Sequence, residues 1–478
     1  MKKEKTFYVT VPIFYPNAKL HLGNAYPVVI ADILARYHRE KQEETYFLTG
    51  ADENTSKVIQ SAEEHGKDPK DHLDEIVETF KALFIDLKST HDQFIRTSDE
   101  KVHWPGATLL WNKMVERGDI EKRIYKGLYC AACEAYYTEK DLVDGKCPYH
   151  YTVPETIEEE NYFFKLSKYT SEIKEKIEND ELKIIPTTRK NEILSLLNSG
   201  LQDISFSRPK SKVPWGIPVP GDESQIMYVW CDALSNYISA LGYGNKDQSL
   251  YNKFWPANVH IVGKDILRFH AAIWPGMLLS AGVPLPKSIL VHGMILSGGK
   301  KMSKSLGNVI SPAELVKEYG VEAVRFYFAK EISLFEDGEL SKESFKAAYN
   351  ASLANGLGNL ISRIMKMAET NLDSPVEIEE KDFPDEYKDH FHNFEIQKAA
   401  NLVWDYIHKL DQKIQATEPF KLVKTDKAAG EKIIKELVQN LYDIASMLSP
   451  FLPNTSEKIK ELIKENKSPE KPLFLRKD

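Results

Sequence analysis

Phe7-Tyr-Val-Thr-Val-Pro-Ile-Phe-Tyr15 is dense in aromatic and β-branched residues and reads as a buried strand. Pro16 and Asn17 break it. Lys19-Leu-His21-Leu-Gly23-Asn24 leads into a helix expected from about Gly23 to Arg39, with apolar Val28, Val29, Ile33 and Leu34 and with Pro27 in its first turn. Thr45 to Leu48 follows as a short strand ending at Gly50. Strand, helix, strand opens a doubly wound α/β domain with a parallel, Rossmann-like sheet.

Outward from that start, the texture changes at about Lys122, where cysteines, tyrosines and prolines mark an insertion. Strand-like runs return at Gln225–Val229, Val259–Val262 and Ser288–Ile295, so the sheet is expected to resume. Beyond Lys342 the pattern is helical, with apolar residues at three-to-four spacing over Ala354–Met367, Ile396–Gln415 and Glu431–Met447. The expected plan has four parts: 1–120, first half of an α/β catalytic domain; 121–222, a connective insertion; 223–341, its second half and a linker; and 342–478, a helical bundle. No internal repeat or low-complexity tract occurs.

The chain has 478 residues, 63 Lys+Arg against 71 Asp+Glu, and a formal charge of −8. Overall acidity leaves a nucleic-acid partner to local patches. No run is apolar enough to span a membrane, and MKKEKTFYVTV carries no signal-peptide pattern, so no membrane and a cytoplasmic location are expected. Of the four cysteines three cluster with a histidine, a pattern that suggests a metal site in a reducing compartment rather than a disulfide framework.

Three clusters carry chemistry. His21 and Asn24, between the first strand and its helix, suit a phosphate at a helix N-terminus, and Gly23 lets a ligand approach the backbone; alone, they would read equally as a solvated loop. Gly298-Gly-Lys-Lys301-Met302-Ser303-Lys304-Ser305-Leu-Gly-Asn308 sets two lysines about a Met-Ser pair in a glycine-bounded loop, where they can neutralise a triphosphate. Cys130-x2-Cys133 and Cys147-x2-His150 have the spacing of a tetrahedral structural zinc site, one Zn2+ per chain.

HLGN followed at a distance by KMSKS resembles the signature pair of class I aminoacyl-tRNA synthetases. Tyr228-Val-Trp230-Cys-Asp-Ala233-Leu-Ser-Asn-Tyr237, Gly263-Lys-Asp-Ile266-Leu-Arg-Phe269-His270 and Phe47-Leu-Thr-Gly-Ala-Asp52-Glu are similar to segments of the methionyl family. The resemblance implies activation of methionine with ATP and Mg2+ to methionyl-adenylate, then transfer to the 3′ end of tRNA(Met). It implies that His21, Gly23, Asn24, Lys301, Met302, Ser303, Lys304 and Ser305 handle ATP, with His21, Asn24, Lys301 and Lys304 catalytic. Asp52 is then expected to hold the substrate ammonium, with Ile13, Tyr15, Trp230, Ala233, Tyr237, Ile266, Phe269 and His270 lining the side-chain pocket. A thioether is soft, apolar and a weak acceptor, which suits aromatic walls and a hydroxyl. Arg208 is either an active-site cation or an interdomain ion pair. Cys231 is expected as a core thiol.

At the tRNA end, Asn359 and Arg363 share one helix face and resemble the family's anticodon-contacting pair. Phe420 in Glu418-Pro-Phe-Lys stands where the family has Trp. Two further departures are Asn24, in place of the signature's second histidine, and Asn54-Thr55, in place of His-Gly. No added C-terminal domain is present, so a monomer is expected. The altered HLGN and DENT segments leave a non-catalytic tRNA-binding paralogue as the alternative. A dehydrogenase is excluded because no G-x-G-x-x-G follows the first strand.

Overall fold

A computed structural model of the protein describes residues 5–130, 135–137, 139–148, 151–213, 215–302 and 309–478. For Ser56, Lys57, Gln60, Tyr125, Ala135, Tyr136, Lys140 and Lys301 the description covers the backbone alone. The chain divides into two units: Met1–Lys19, Glu44–Phe80 and His91–Val291; and Leu20–Glu43, Lys81–Thr90 and His292–Asp478.

The first unit is built on a sheet of β1 (Thr6–Thr10), β2 (Glu44–Ala51), β3 (Gln93–Arg96), β4 (Lys183–Ile185), β5 (Val259–Gly263) and β6 (Ser288–His292), in the order β3-β2-β1-β5-β6-β4. β1 runs parallel to both β2 and β5, β2 to β3, and β6 to β4. The strand order reverses between β1 and β5. In an open α/β sheet the crevice at the carboxyl ends of such a pair is where ligands bind. Tyr8, Trp111, Tyr237 and Trp274 fill the core of this unit.

Several sequence expectations move by a few residues, each for a local reason. The strand expected over Phe7–Tyr15 stops at Thr10 because Pro12 has no N–H for the ladder. The chain rejoins at Phe14, which bridges to Ala51. The Gln225–Val229 run is not part of the parallel sheet. Asp222–Met227 pairs antiparallel with Pro218–Val219 and Ser207–Pro209, and Val229 already starts a helix. Ser288–Ile295 divides at Gly293 and Met294, whose N–H groups turn to Leu334 O and the Asp337 carboxylate. The stretch expected as an insertion forms an antiparallel sheet from Ile120–Cys130, Ala135–Tyr137, Glu155–Phe164 and Ile204–Ser205, and also supplies β4 to the parallel sheet.

The second unit holds α1 (Leu22–Glu40) together with helices of the C-terminal region. Because α1 begins at Leu22, Pro27 lies inside the helix and not in its first turn, so the Gly23 carbonyl loses its usual i+4 donor. Tyr37 stacks on Phe391 with centroids 3.9 Å apart. Arg325, fully buried, pairs with Asp32 at 2.7 Å and donates to the carbonyls of Leu87, Pro450 and Phe451. The helical expectation for the C-terminal part holds: Asn359–Asn371, Ile396–Thr417, Lys427–Leu448 and Pro453–Glu465 are α-helices, preceded by a π-helical turn at Tyr349–Gly358. No described helix is long and apolar enough to cross a membrane.

Candidate active site

Two strand ends and one helix of the first unit carry the residues expected to line the side-chain pocket. After β1, Phe14 N–H donates to Gly50 O at 3.1 Å and Phe14 O accepts from Asp52 N at 2.9 Å. Phe14 is thereby buried, while Ile13 and Tyr15 on either side stay half-exposed. After β5, residues 264–273 carry Ile266, Phe269 and His270. Between them lies the helix α2 (Val229–Ser239), which bears Trp230, Ala233 and Tyr237 at spacings of three and four, hence on one face. Ile13, Trp230, Ile266 and Phe269 pack against the cluster that contains Tyr237.

The floor of the pocket has fixed protons. His270 Nδ1 lies 3.0 Å from the Ile266 carbonyl, which can only accept, so Nδ1 carries the hydrogen. Burial lowers the His270 pKa to about 4, which makes the ring neutral near pH 7 and its Nε2 an acceptor. Tyr237 O–H donates to that Nε2 at 2.7 Å, and burial raises the tyrosine pKa. Behind the pair, Trp274 Nε1–H donates to His260 Nε2 at 3.3 Å, and His260 Nδ1 meets Thr10 Oγ1 at 2.7 Å. His260 is also held neutral by burial. The walls are apolar: Trp230 and Phe269 stack with centroids 3.6 Å apart at 10°. Among the described residues, the buried indole N–H of Trp230 meets no acceptor. Asp52 is 3% exposed, and its charge adds to burial in raising the Tyr237 pKa.

Sequence reasoning passed over a second layer. Asn54 Nδ2 donates to Asp232 Oδ2 at 2.7 Å, and His103 Nε2 donates to Asp232 Oδ1 at 2.5 Å. Asp232 lies inside the Tyr228–Tyr237 segment, which assigns it no role, and His103 stands in no motif. Arg208 pairs with Glu159 at 3.0 Å and covers the Tyr129 ring at 3.9 Å; both partners lie within 121–222, so this pair joins no two of the expected domains. Cys231 is a buried thiol whose pKa burial raises.

The phosphate signatures belong to the second unit. His21 is the N-cap of α1: its Nδ1 accepts from Gly23 N at 3.0 Å, while its own N–H donates to Asn24 Oδ1 at 3.1 Å. This capping box explains two residue choices. A Cβ on Gly23 would fall 2.9 Å from His21 Cε1, so glycine makes room for the folded-back imidazole. Asn24 closes the box through its oxygen and keeps its amide N–H2 as a donor. Leu296–Ser297 pairs with Lys300–Lys301 across Gly298 and Gly299, both at positive φ, and the N–H groups of these glycines donate to Glu339. The expected loop is therefore a tight hairpin at this end. Met302 is buried; Ser303, Lys304 and Ser305 lie outside the described residues.

Of the knuckle, Cys130 and Cys147 are described and share a small buried cluster with Tyr137, whose hydroxyl lies 3.7 Å from Cys147 Sγ. Cys133 and His150 lie outside the described residues. Among the described residues no group of three or more His, Cys, Asp or Glu could hold a metal ion. At the tRNA end, Asn359 is exposed and Arg363 is ion-paired with Asp411. Phe420 is 43% exposed on the short helix Pro419–Thr425.

A doubly wound sheet, in a chain that carries HLGN on a helix N-cap and KMSKS beginning in a hairpin strand, has the features of a class I tRNA synthetase. The family model described as tRNA synthetases class I (M) matches residues 7–153 and 149–365, and the chain belongs to that family. It is 44% identical to the methionine–tRNA ligase of Clostridium acetobutylicum, over 96% of this chain and 73% of that protein. It is 38% identical to the methionine–tRNA ligase of Brucella melitensis, over 97% and 92%. Mycobacterium tuberculosis methionyl-tRNA synthetase in complex with methionyl-adenylate superposes with a TM-score of 0.90 at 34% identity, covering 96% of this chain and 93% of that one.

Proposed function

We propose that the chain is a methionine–tRNA ligase whose substrates are methionine, ATP with Mg2+ and tRNA(Met). The observation that carries the specificity is the neutral Tyr237–His270 floor beneath apolar walls and beside Asp52. A neutral, buried floor admits a thioether and disfavours charged side chains, which would lose their hydration. Asp52 holds the substrate ammonium. The substrate carboxylate is already ionised near pH 7, so no general base is needed. One of its oxygens attacks the α-phosphorus of ATP, the bond to the β-phosphate oxygen breaks, and pyrophosphate leaves. Catalysis then rests on positioning and charge stabilisation. His21, Gly23 and Asn24 bind at the α1 N-terminus, and Lys301 and Lys304 stabilise the triphosphate with Met302, Ser303 and Ser305. A ribose hydroxyl at the tRNA 3′ end next attacks the adenylate carbonyl; AMP leaves and the ester forms.

Cys130, Cys133, Cys147 and His150 would hold a structural Zn2+. The two described thiols already lie in one small cluster, and three thiolates with one imidazole suit that metal. Filling four positions with protein ligands, the metal would brace residues 121–222 and take no part in the reaction. Asn359, Arg363 and Phe420 would meet the anticodon, with bases stacking on Phe420. The protein would act in the cytoplasm as a monomer. The test is amino-acid-dependent exchange of pyrophosphate into ATP with each of the twenty amino acids. Exchange with methionine alone is the expected result; no exchange by folded protein would replace this reading with a tRNA-binding paralogue.

A further inference from the structure

We propose that Asp232 is a positioning residue: its buried carboxylate locks the turn after Asp52 to helix α2, and so sets the span between the ammonium-binding carboxylate and the thioether pocket. The proposal rests on the pocket being a methionine site.

Helix α2 has two working faces. Trp230, Ala233 and Tyr237 face the pocket. Asp232, in the first turn and 0% exposed, lies off that face, as does Ser239 at the far end. One imidazole spans both. His103, just before the helix Trp104–Glu116, gives Nε2–H to Asp232 Oδ1 at 2.5 Å, and its Nδ1 lies 2.8 Å from Ser239 Oγ. The second carboxylate oxygen accepts from Asn54 Nδ2 at 2.7 Å. The other hydrogen of that amide goes to Thr97 O at 2.9 Å, so both Nδ2 hydrogens are used. Glu53, between Asp52 and Asn54, is anchored as well: its N–H donates to Thr97 Oγ1 at 2.8 Å, and its carboxylate accepts from Arg96 Nε at 2.6 Å and from Ser98.

Burying a carboxylate is costly, and well-packed apolar residues usually serve stability as well or better. A carboxylate does something an apolar side chain does not: its two oxygens impose directional bonds on two separate elements. The elements it joins are the two that carry substrate groups. Asn54 is two residues from Asp52, and Asp232 sits between Trp230 and Ala233. A displacement of the carboxylate therefore changes the separation of Asp52 and Tyr237, although Asn54 and His103 are not pocket residues.

The test uses pyrophosphate exchange and thermal melting of Asp232→Asn, Asn54→Ala and Cys231→Ala. Asp232→Asn keeps the volume and turns an amide N–H2 toward a donor. The KM for methionine is expected to rise about tenfold while the KM for ATP moves less than about twofold. The kcat/KM preference for methionine over ethionine, one methylene longer, should shrink. Asn54→Ala removes one of the two bonds and should move the same quantities less. Cys231→Ala, beside Asp232 in the core, should lower Tm without moving the methionine KM. If Asp232→Asn does not fold, Asn54→Ala decides. Variants that lose Tm but keep the wild-type methionine KM and ethionine discrimination would make the network purely structural and overturn the proposal. Wild-type protein that exchanges no methionine overturns the pocket reading and this inference with it, an outcome distinct from a silent variant in an active enzyme.

Discussion

Tyr237–His270 and Arg363–Asp411 are both polar pairs at proposed recognition sites, and they are built in opposite ways. The first is buried, neutral and fixed by the Ile266 carbonyl. The second is charged, with each side chain about one-third exposed, and Asp411 also accepts from Gln415 Nε2 at 2.5 Å. A small substrate read at buried side chains meets groups whose positions their hydrogen bonds fix. A macromolecule is read at a surface, where the reading group is held by a partner weak enough to be exchanged. Burial thus sets the size of every effect that follows.

The largest effect should come from charge beside the buried floor. Asp52→Asn would leave the substrate ammonium without its counter-charge in a desolvated site. A loss of about 4 kcal/mol is expected, close to a thousandfold in kcat/KM for methionine. Pyrophosphate-exchange kinetics measure it, and a loss below tenfold would show that Asp52 does not hold the ammonium.

The fixed protons of the floor predict a pH dependence. His270 titrates at about 4 when folded, against 6.5 in the unfolded chain. The unfolded state therefore binds more protons as pH falls below about 6.5, and the fold loses stability down to about pH 4. The loss for this one group is about 3 kcal/mol, and none of it is felt above pH 7. His260, shifted the same way, adds to it. Melting curves between pH 4.5 and 7.5 should show this slope, and His270→Gln should flatten part of it. An unchanged slope would mean that His270 is not the buried neutral group described.

Tyr237→Phe removes the hydroxyl and strands His270 Nε2 in the core. About 2 kcal/mol is expected, some thirtyfold in kcat/KM for methionine, with little change in the KM for ATP. An equal change in both Michaelis constants would place Tyr237 outside the side-chain pocket.

Motif and periodicity reach some of this arrangement and miss the rest. The parallel sheet is legible because Phe7-Tyr-Val-Thr and Val259–Val262 are β-rich runs beside a helical repeat. The long C-terminal helices are legible from their apolar spacing. The proposed pocket residues stand out because they sit in short segments shared with a family. What periodicity cannot show is which polar residue answers another across the fold. His103 and Asp232 are 129 positions apart, and Tyr8 O–H donates to Tyr237 O across 229. The antiparallel pairing of Asp222–Met227 is not legible because a short apolar run does not state its partner. Asn24 and Asn54 look like departures in sequence; in space each has a geometric task, one in a capping box and one on the Asp232 carboxylate.

The smallest effect, and the sharpest test of the comparison, is Asp411→Ala. An ion pair about one-third exposed contributes about 0–1 kcal/mol, so the melting temperature should barely move. The consequence should appear with tRNA alone. Freed of its carboxylate, Arg363 no longer exchanges one partner for another, so the KM for tRNA should fall by a few-fold, while pyrophosphate exchange stays at the wild-type rate. The gain should shrink as salt rises, because the attraction between a surface arginine and a phosphate-rich ligand is screened. Arg363→Ala should instead raise the KM for tRNA, again without touching exchange. If Asp411→Ala weakens tRNA binding, the carboxylate orients Arg363 for the anticodon instead of competing with it, and the surface pair would then be as pre-set as the buried one.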